Sequence, residues 1–144
     1  MRERGERLRE EAWRWIGLAW ENLAGAELRH QHEEMPERHA CFWAQQAAET
    51  AIKAVLVAED VDPPRSHDLV ALAQRCAASE INGLDPARLG ALAAWAVGAR
   101  YEPIGQGASS FEEAVGIARL VVDAAAAAVE RTVGGDVGDS AEEE

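Results

Sequence analysis

The chain has 144 residues, and 48% of them are apolar, which suffices for one domain whose core needs neither disulfide nor metal. Its net charge of −12 argues against a broad nucleic-acid surface, because affinity there comes from phosphate neutralisation by Lys and Arg. We therefore expect no DNA partner. Five acidic residues lie in the last 11, so the rest of the chain still carries −7.

Export and membrane insertion are not expected either. The chain has no apolar run near the ~20 residues that cross a bilayer. Its first residues lack the apolar core of a signal peptide, and a cytoplasmic location is expected. Cys41 and Cys76 stand among apolar neighbours, as buried reduced thiols in a cytoplasmic protein would.

The first half of the chain predicts two long helices and no strand of any strength. A helix from Glu6 to Arg29 is expected, since its large apolar residues recur three and four apart. These residues are Trp13, Ile16, Trp20 and Leu23. The tryptophans of the first helix are more than one helix face can bury, so some aromatic surface should be exposed. Exposed aromatic surface would suit a partner interface. Pro36 then suits the start of a second helix, which should end near Ala58.

Three further helices are predicted from their caps. Ser66 is the expected N-cap of a short third helix over residues 67–79. Asp85 followed by Pro86 should begin a fourth helix that runs to about Ala99. The spacing of Ser110 and Glu113 predicts a capping box at the start of the last helix. That helix should end at Val133, before Gly134 and Gly135.

Three long and two short helices joined by short loops predict an all-α, antiparallel up-and-down bundle of four to five helices. We expect one domain over residues 1–133 and a disordered acidic tail over residues 134–144.

The most informative polar residues lie on the second helix. Gln45, Glu49 and Lys53 follow one another at i, i+4 and i+8, so they share one edge, and Lys53 is the only lysine in the chain. Three interpretations are open: a cluster facing a cleft that binds a phosphate or base, a solvated stripe with an ordinary Glu49–Lys53 pair, or a buried polar network. An apolar face runs beside this edge. It consists of Cys41, Ala44, Ala48, Ile52 and Leu56.

Two other groups are candidates for ligand binding. His67 and Asp68, next to Arg65 at a helix start, would suit an anion, although a local cap explains them equally. Arg100 and Tyr101 would form an anion-facing edge, or Arg100 is simply favoured at a helix C-terminus. The histidines of HQHEEMPERH lack helical spacing and are expected in a solvated loop, so neither a metal nor a cofactor is predicted.

The order of motifs is more specific than a generic bundle. CFWAQQAAETAIKAVLVAED on the second helix is followed by PPRSHDL and then by ARYEP. Over roughly residues 10–125 the chain resembles the HEPN domain family, small helical domains found beside minimal nucleotidyltransferases in bacteria and archaea. The resemblance implies a four- or five-helix bundle, often a homodimer. The candidate ligand-binding residues are Gln45, Glu49, Lys53, His67, Asp68, Arg100 and Tyr101.

Two kinds of function are implied by this resemblance. Many family members are toxins, metal-independent endoribonucleases controlled by a nucleotidyltransferase antitoxin, and others bind nucleotides or proteins without catalysis. The ribonuclease signature is Arg, four to six residues, then His, and no histidine here stands at that distance after an arginine. We therefore expect a toxin-type or regulatory partner of a nucleotidyltransferase that binds nucleotide or protein. The alternatives are an RNA-cutting enzyme with Arg100 and His67 in a composite site, and a purely structural dimer.

Overall fold

The computed structural model describes residues 2–96 and 109–136, and all regular secondary structure in these two ranges is helical. We label its α-helices α1 to α6 in chain order. Their bounds are Arg2–Glu27 for α1, Glu37–Ala58 for α2, Leu69–Arg75 for α3, Ser79–Asn82 for α4, Pro86–Ala93 for α5 and Phe111–Val133 for α6. A 3₁₀ turn, Leu28–His30, follows α1. The predicted all-α fold class is confirmed, and the long helices begin and end within a few residues of their predicted bounds.

The long helices form a bundle, and contacts at their ends show the direction in which each helix runs. Arg4 near the start of α1 pairs with Asp60 just after α2. The indole N–H of Trp13 donates to the carbonyl oxygen of Gly134, just after α6, at 2.8 Å. The start of α6 meets the start of α2, because the Phe111 N–H donates to a Glu37 carboxylate oxygen at 3.1 Å. Thus α1 runs opposite to both α2 and α6, which are parallel to each other.

Helix α2 lies at the centre of the core. It contacts α1, α6, α3 and α5, and most of its residues are buried. The predicted apolar face is confirmed, since all five of its members are fully buried. Seven further buried positions of α2 are alanine or valine, and such small side chains let neighbouring helices approach closely. Burial on nearly all sides of its central part forces any buried polar residue of α2 to find a partner within the protein.

The predicted third helix is wrong in two respects. Asp68, not Ser66, is the N-cap of α3: its carboxylate accepts from the Ala71 N–H, while the Ser66 hydroxyl oxygen accepts from the Asp68 N–H. The helix then stops at Arg75, because the backbone of Cys76 is extended. The N–H groups of Ala77 and Ala78 donate to the carboxylate of Glu59, which follows α2. Helix α4 begins only after this break.

The later helices begin at their predicted caps. Asp85 caps α5, with Pro86 in its first turn, but the prediction that this helix runs to about Ala99 is wrong, because α5 ends at Ala93. Ser110 and Glu113 form the predicted capping box of α6, which ends at Val133 as expected. Gly134 then adopts a φ of 99°, a conformation open to glycine, and the Arg9 guanidinium donates to the next carbonyl oxygen, that of Gly135. The division into a domain and a disordered tail stays a prediction, because residues 137–144 lie outside the described ranges.

The tryptophans of α1 do not form its core face as predicted. The buried stripe consists of Ala12, Ile16, Ala19, Leu23 and Ala26. Trp20 was predicted to lie on this stripe, but 46% of it is exposed, and its ring packs against that of Trp13 at 6.2 Å between centroids. Alanines at positions 12 and 19 bring α1 close to its neighbours, which leaves no room for an indole on that face.

Candidate functional site

The polar edge of α2 is buried rather than solvated. Gln45 is fully buried, and only 8% of the Glu49 side chain and 11% of the Lys53 side chain are exposed. The interpretation as a solvated stripe is therefore wrong, and the buried network is the arrangement found. Burying a carboxylate is costly unless it is paired and hydrogen-bonded, so the partners of Glu49 decide whether this edge is stable.

Glu49 is the centre of that network. Gln45 Nε2 donates to Glu49 Oε1 at 3.1 Å, and Lys53 Nζ donates to Glu49 Oε2 at 3.0 Å. The network extends one residue further, because Gln46 Nε2 donates to Gln45 Oε1 at 2.7 Å. The i, i+4 spacing of the three predicted residues brings their side chains together as the sequence indicated.

The fourth partner of Glu49 comes from a different segment. His67 Nδ1 lies 2.8 Å from Glu49 Oε1, although 18 residues separate the two. His67 belongs to the irregular stretch between α2 and α3 that contains the paired prolines Pro63 and Pro64. Helix α2 ends before these prolines, where Asp60 adopts a φ of 61° and the Val61 N–H donates to the Leu56 carbonyl oxygen at 2.9 Å. The prolines then disfavour a return to helix in the segment that leads to His67. His67 thus closes the polar cluster from outside.

The position of the hydrogen on the His67 imidazole follows from the ionisation of the Glu49 carboxylate. Burial alone raises the pKa of Glu49, but hydrogen bonds from His67, Gln45 and Lys53 and the charge of Lys53 outweigh it, and the pKa lies below its ordinary value. An ionised carboxylate only accepts hydrogen bonds, so Nδ1 of His67 must carry the hydrogen. In the neutral imidazole, Nε2 is then left with a lone pair. Because 62% of the His67 side chain is exposed, the ring is accessible to a ligand.

The structure separates the remaining sequence candidates. Asp68 follows His67, but its carboxylate is turned to the first turn of α3. Arg65 is exposed two residues before His67 and forms no ion pair within the described residues. Arg100 and Tyr101 lie outside the described ranges, so the anion-facing edge predicted for them stays a prediction. We call the side chains of Gln45, Glu49, Lys53 and His67 the Glu49 cluster.

Sequence reasoning missed Gln46. It adjoins Gln45, is half-buried, and extends the network toward the exposed part of α2. A signal was present, because Gln46 follows Trp43 at i+3 and precedes Glu49 at i+3, which places all three on neighbouring turns of one edge.

The loop histidines and the cysteines show no site chemistry. His30 packs against the ring of Phe111 at 5.0 Å, and His32 pairs with Glu34 at 3.3 Å. Within residues 2–96 and 109–136, no three His, Cys, Asp or Glu side chains are grouped to hold a metal ion. Burial raises the pKa of Cys41 to about 12 and that of Cys76 to about 12, so neither thiol is ionised near neutral pH.

Comparison with known proteins decides the family. The family model of the HEPN domain matches residues 12–129, most of the chain. The chain belongs to the HEPN domain family. No curated protein and no solved structure shows significant similarity to it. The matched range covers α2 and His67, so the Glu49 cluster is part of the HEPN domain proper. No helix within the described residues is long and apolar enough to span a membrane.

Proposed function

We propose that this HEPN domain is a toxin-type or regulatory partner of a nucleotidyltransferase and binds a nucleotide through the Glu49 cluster. The observation that carries the proposal is the bond between Glu49, which is almost buried, and His67, which is mostly exposed. It joins two segments into a preassembled polar site with one accessible ring. A preassembled site loses little conformational entropy when a ligand binds.

The phosphate end of the nucleotide would bind on the His67 side. His67 Nδ1 is held by Glu49, and when both ring nitrogens carry a hydrogen, Nε2 donates to a phosphate oxygen. Arg65 provides an exposed guanidinium two residues away. A guanidinium matches phosphate geometry with two parallel hydrogen bonds. Lys53 adds positive charge within the cluster, although Glu49 neutralises it in the free protein. This local patch is compatible with an acidic chain, because a nucleotide needs only a few donors.

Calorimetric titration with ATP, AMP and inorganic pyrophosphate tests the binding. We expect dissociation constants in the micromolar to low millimolar range, and a loss of at least about tenfold in His67→Asn. Asn keeps a donor near the position of Nδ1 but removes the second ring nitrogen. His39→Asn is the matched control, because His39 is also an exposed histidine and lies on α2 away from the cluster. Absence of binding by the unchanged protein to all three probes would overturn the proposal.

The partner is proposed from family membership and from exposed apolar surface. Leu18 and Trp20 are both about half exposed on α1, a helix that was expected to offer a partner interface. We propose that the domain forms a homodimer and also binds a nucleotidyltransferase encoded nearby. Light scattering of the purified protein should give twice the mass of one chain, and co-expression with the neighbouring gene product should yield a stable complex. A monomer at all concentrations would reject the dimer, and failure to co-purify with an adjacent nucleotidyltransferase would reject the pair.

A second candidate function is RNA cleavage, and one observation favours it. An imidazole held by a carboxylate at Nδ1 is the usual arrangement of a general base, since the carboxylate orients the ring and stabilises its charged form. His67 Nε2 would take the 2′-hydroxyl proton, the 2′-oxygen would attack phosphorus, and the 5′-oxygen would leave with a proton from solvent. Arg100 is the sequence candidate for stabilising the charge on phosphorus.

The ribonuclease candidate is tested with purified protein, RNA and a chelator. Cleavage should leave 2′,3′-cyclic phosphate ends, and both His67→Asn and Arg100→Ala should abolish it. Intact RNA after prolonged incubation at high protein concentration would remove this candidate and leave the binding proposal unaffected.

A further inference from the structure

Trp43 lies at the N-terminal end of the polar edge of α2, and its indole packs against the backbone of α1. A β-carbon placed on Gly25 of α1 would lie 3.2, 3.5 and 3.6 Å from three adjacent atoms of the six-membered ring of Trp43. Nearly equal distances to three bonded ring atoms mean that the β-carbon position lies over the face of the ring, because an edge approach would put two of them much farther away. The backbone of α1 at Gly25 therefore supports one face of the indole.

The indole is nevertheless only partly covered. Trp43 remains 37% exposed, so an aromatic surface backed by a helix faces solvent. A ring held on one face loses little freedom when a second flat group stacks on the other. Every nucleobase offers such a flat group, and stacking on an aromatic side chain is a common way to bind one.

Gln46 lies one turn from Trp43 and has one free hydrogen-bonding atom. Its Nε2 donates to Gln45 Oε1 at 2.7 Å, and Gln45 in turn donates to Glu49, so the carboxamide of Gln46 is oriented by the Glu49 cluster. Within the described residues its Oε1 accepts no hydrogen bond. An oriented acceptor beside an exposed ring suits a base edge that donates, such as an exocyclic amino group.

Spacing places these groups along one ligand-sized edge. Trp43, Gln46, Glu49 and Lys53 follow at intervals of three, three and four, so they occupy successive turns of the same side of α2. Trp43 and Lys53 are about 15 Å apart along the helix axis at 1.5 Å per residue. The aromatic surface and the His67 side of the cluster are thus the two ends of a single strip.

We propose that Trp43 and Gln46 bind the base of the nucleotide whose phosphate end lies at His67, and that they favour a base with an exocyclic amino group. This inference rests on the nucleotide binding proposed above. Adenine should be preferred to uracil, because a purine offers more stacking area and its amino group can donate to Gln46 Oε1.

Calorimetry with AMP, UMP and inorganic pyrophosphate tests the inference separately from the proposed function. AMP should bind at least about fivefold more tightly than UMP. Trp43→Ala should weaken AMP binding at least about tenfold and leave pyrophosphate binding unchanged, while His67→Asn should weaken both. Gln46→Ala should reduce the preference for AMP over UMP. Trp20→Ala is the control, because Trp20 is also exposed but lies on α1.

The outcomes separate two failures. If no probe binds, the proposed function fails and this inference falls with it. If AMP binds equally well to the unchanged protein and to Trp43→Ala, only the inference fails. If Trp43→Ala instead halves the mass in solution, Trp43 is a contact between two copies and the inference is overturned. Trp43→Phe, which keeps a stacking face, should retain most AMP binding. Unchanged pyrophosphate binding by Trp43→Ala shows that its loss of AMP binding is not a loss of folding.

Discussion

Two glutamates at either end of the second half of α2 use their carboxylates in different ways. Glu49 binds side chains only, and the most exposed of them, His67, is accessible to solvent. Glu59, the C-cap residue of α2, binds two backbone N–H groups, those of Ala77 and Ala78, at 2.8 and 2.9 Å. Each glutamate binds a residue that lies 18 positions after it in the sequence.

The difference separates a structural carboxylate from a functional one. The backbone groups that Glu59 holds have no other role, and its removal would loosen the start of α4. The side chains around Glu49 keep further donors and acceptors, and the His67 ring can interact with a ligand without breaking its bond to Glu49. We therefore expect both glutamates to matter for stability and only Glu49 to matter for binding.

The largest expected effect is that of Glu49→Gln. The amide cannot accept from Gln45, His67 and Lys53 at once, and Lys53 is left almost buried without a carboxylate. Unfolding by urea should show a loss of about 2–3 kcal/mol. Nucleotide binding should also weaken at least about tenfold. A loss below about 0.5 kcal/mol would mean that the network is not important for stability.

Glu59→Gln should have a smaller effect. One amide oxygen can still accept from one N–H group, so the expected loss is about 1–2 kcal/mol in the same urea experiment. Nucleotide binding at 25 °C should be unchanged, because Glu59 lies outside the Glu49 cluster. If binding weakens as much as in Glu49→Gln, the two carboxylates do not differ in function and the comparison fails.

Acidification should remove the difference in the free energy of unfolding between Glu49→Gln and the unchanged protein. The pKa of Glu49 is lowered in the folded state from an ordinary value of 4.5, so its charge stabilises the fold above about pH 4.5. That stabilisation is lost as the pH falls through the folded-state pKa. Urea unfolding at intervals from pH 7 to pH 3 should show the gap between the two proteins narrowing only below about pH 4.5. A gap that stays constant over this range would contradict an ionised Glu49.

The smallest effect on stability is expected for His67→Asn. Most of the ring is exposed and Asn can still donate to Glu49, so the loss should be at most about 0.5 kcal/mol. The same variant should lose nucleotide binding. It therefore separates the effect on binding from the effect on stability more clearly than the other variants. A large loss of stability would show that His67 is a structural residue.

Elements that depend on local interactions were predictable. The capping box of Ser110 and Glu113, the Asp85 cap and the apolar face of α2 all arise from contacts within one or two helical turns. The neighbouring positions of Gln45, Glu49 and Lys53 were predictable for the same reason. Membership in the HEPN family was indicated by the motif order and is confirmed by the family match.

Elements that depend on distant contacts were not predictable. The break between α3 and α4 is stabilised by Glu59, which precedes it by 18 residues, and nothing within HDLVALAQRCAAS indicates it. Trp20 has the spacing of a core residue, yet close packing of alanines on α1 and α2 leaves it outside. The bond between His67 and Glu49 depends on the path of a proline-containing loop, and helical periodicity does not extend across such a loop.

By itself, the sequence determined where the long helices lie, which face of α2 is apolar, and that three polar residues share one edge, because these properties follow from the helical repeat and from caps a few residues apart. Only the tertiary structure decided that this edge is buried and that an imidazole from another segment completes it. The physical reason is that the burial of a polar side chain depends on which neighbours cover it, and those neighbours come from distant parts of the chain.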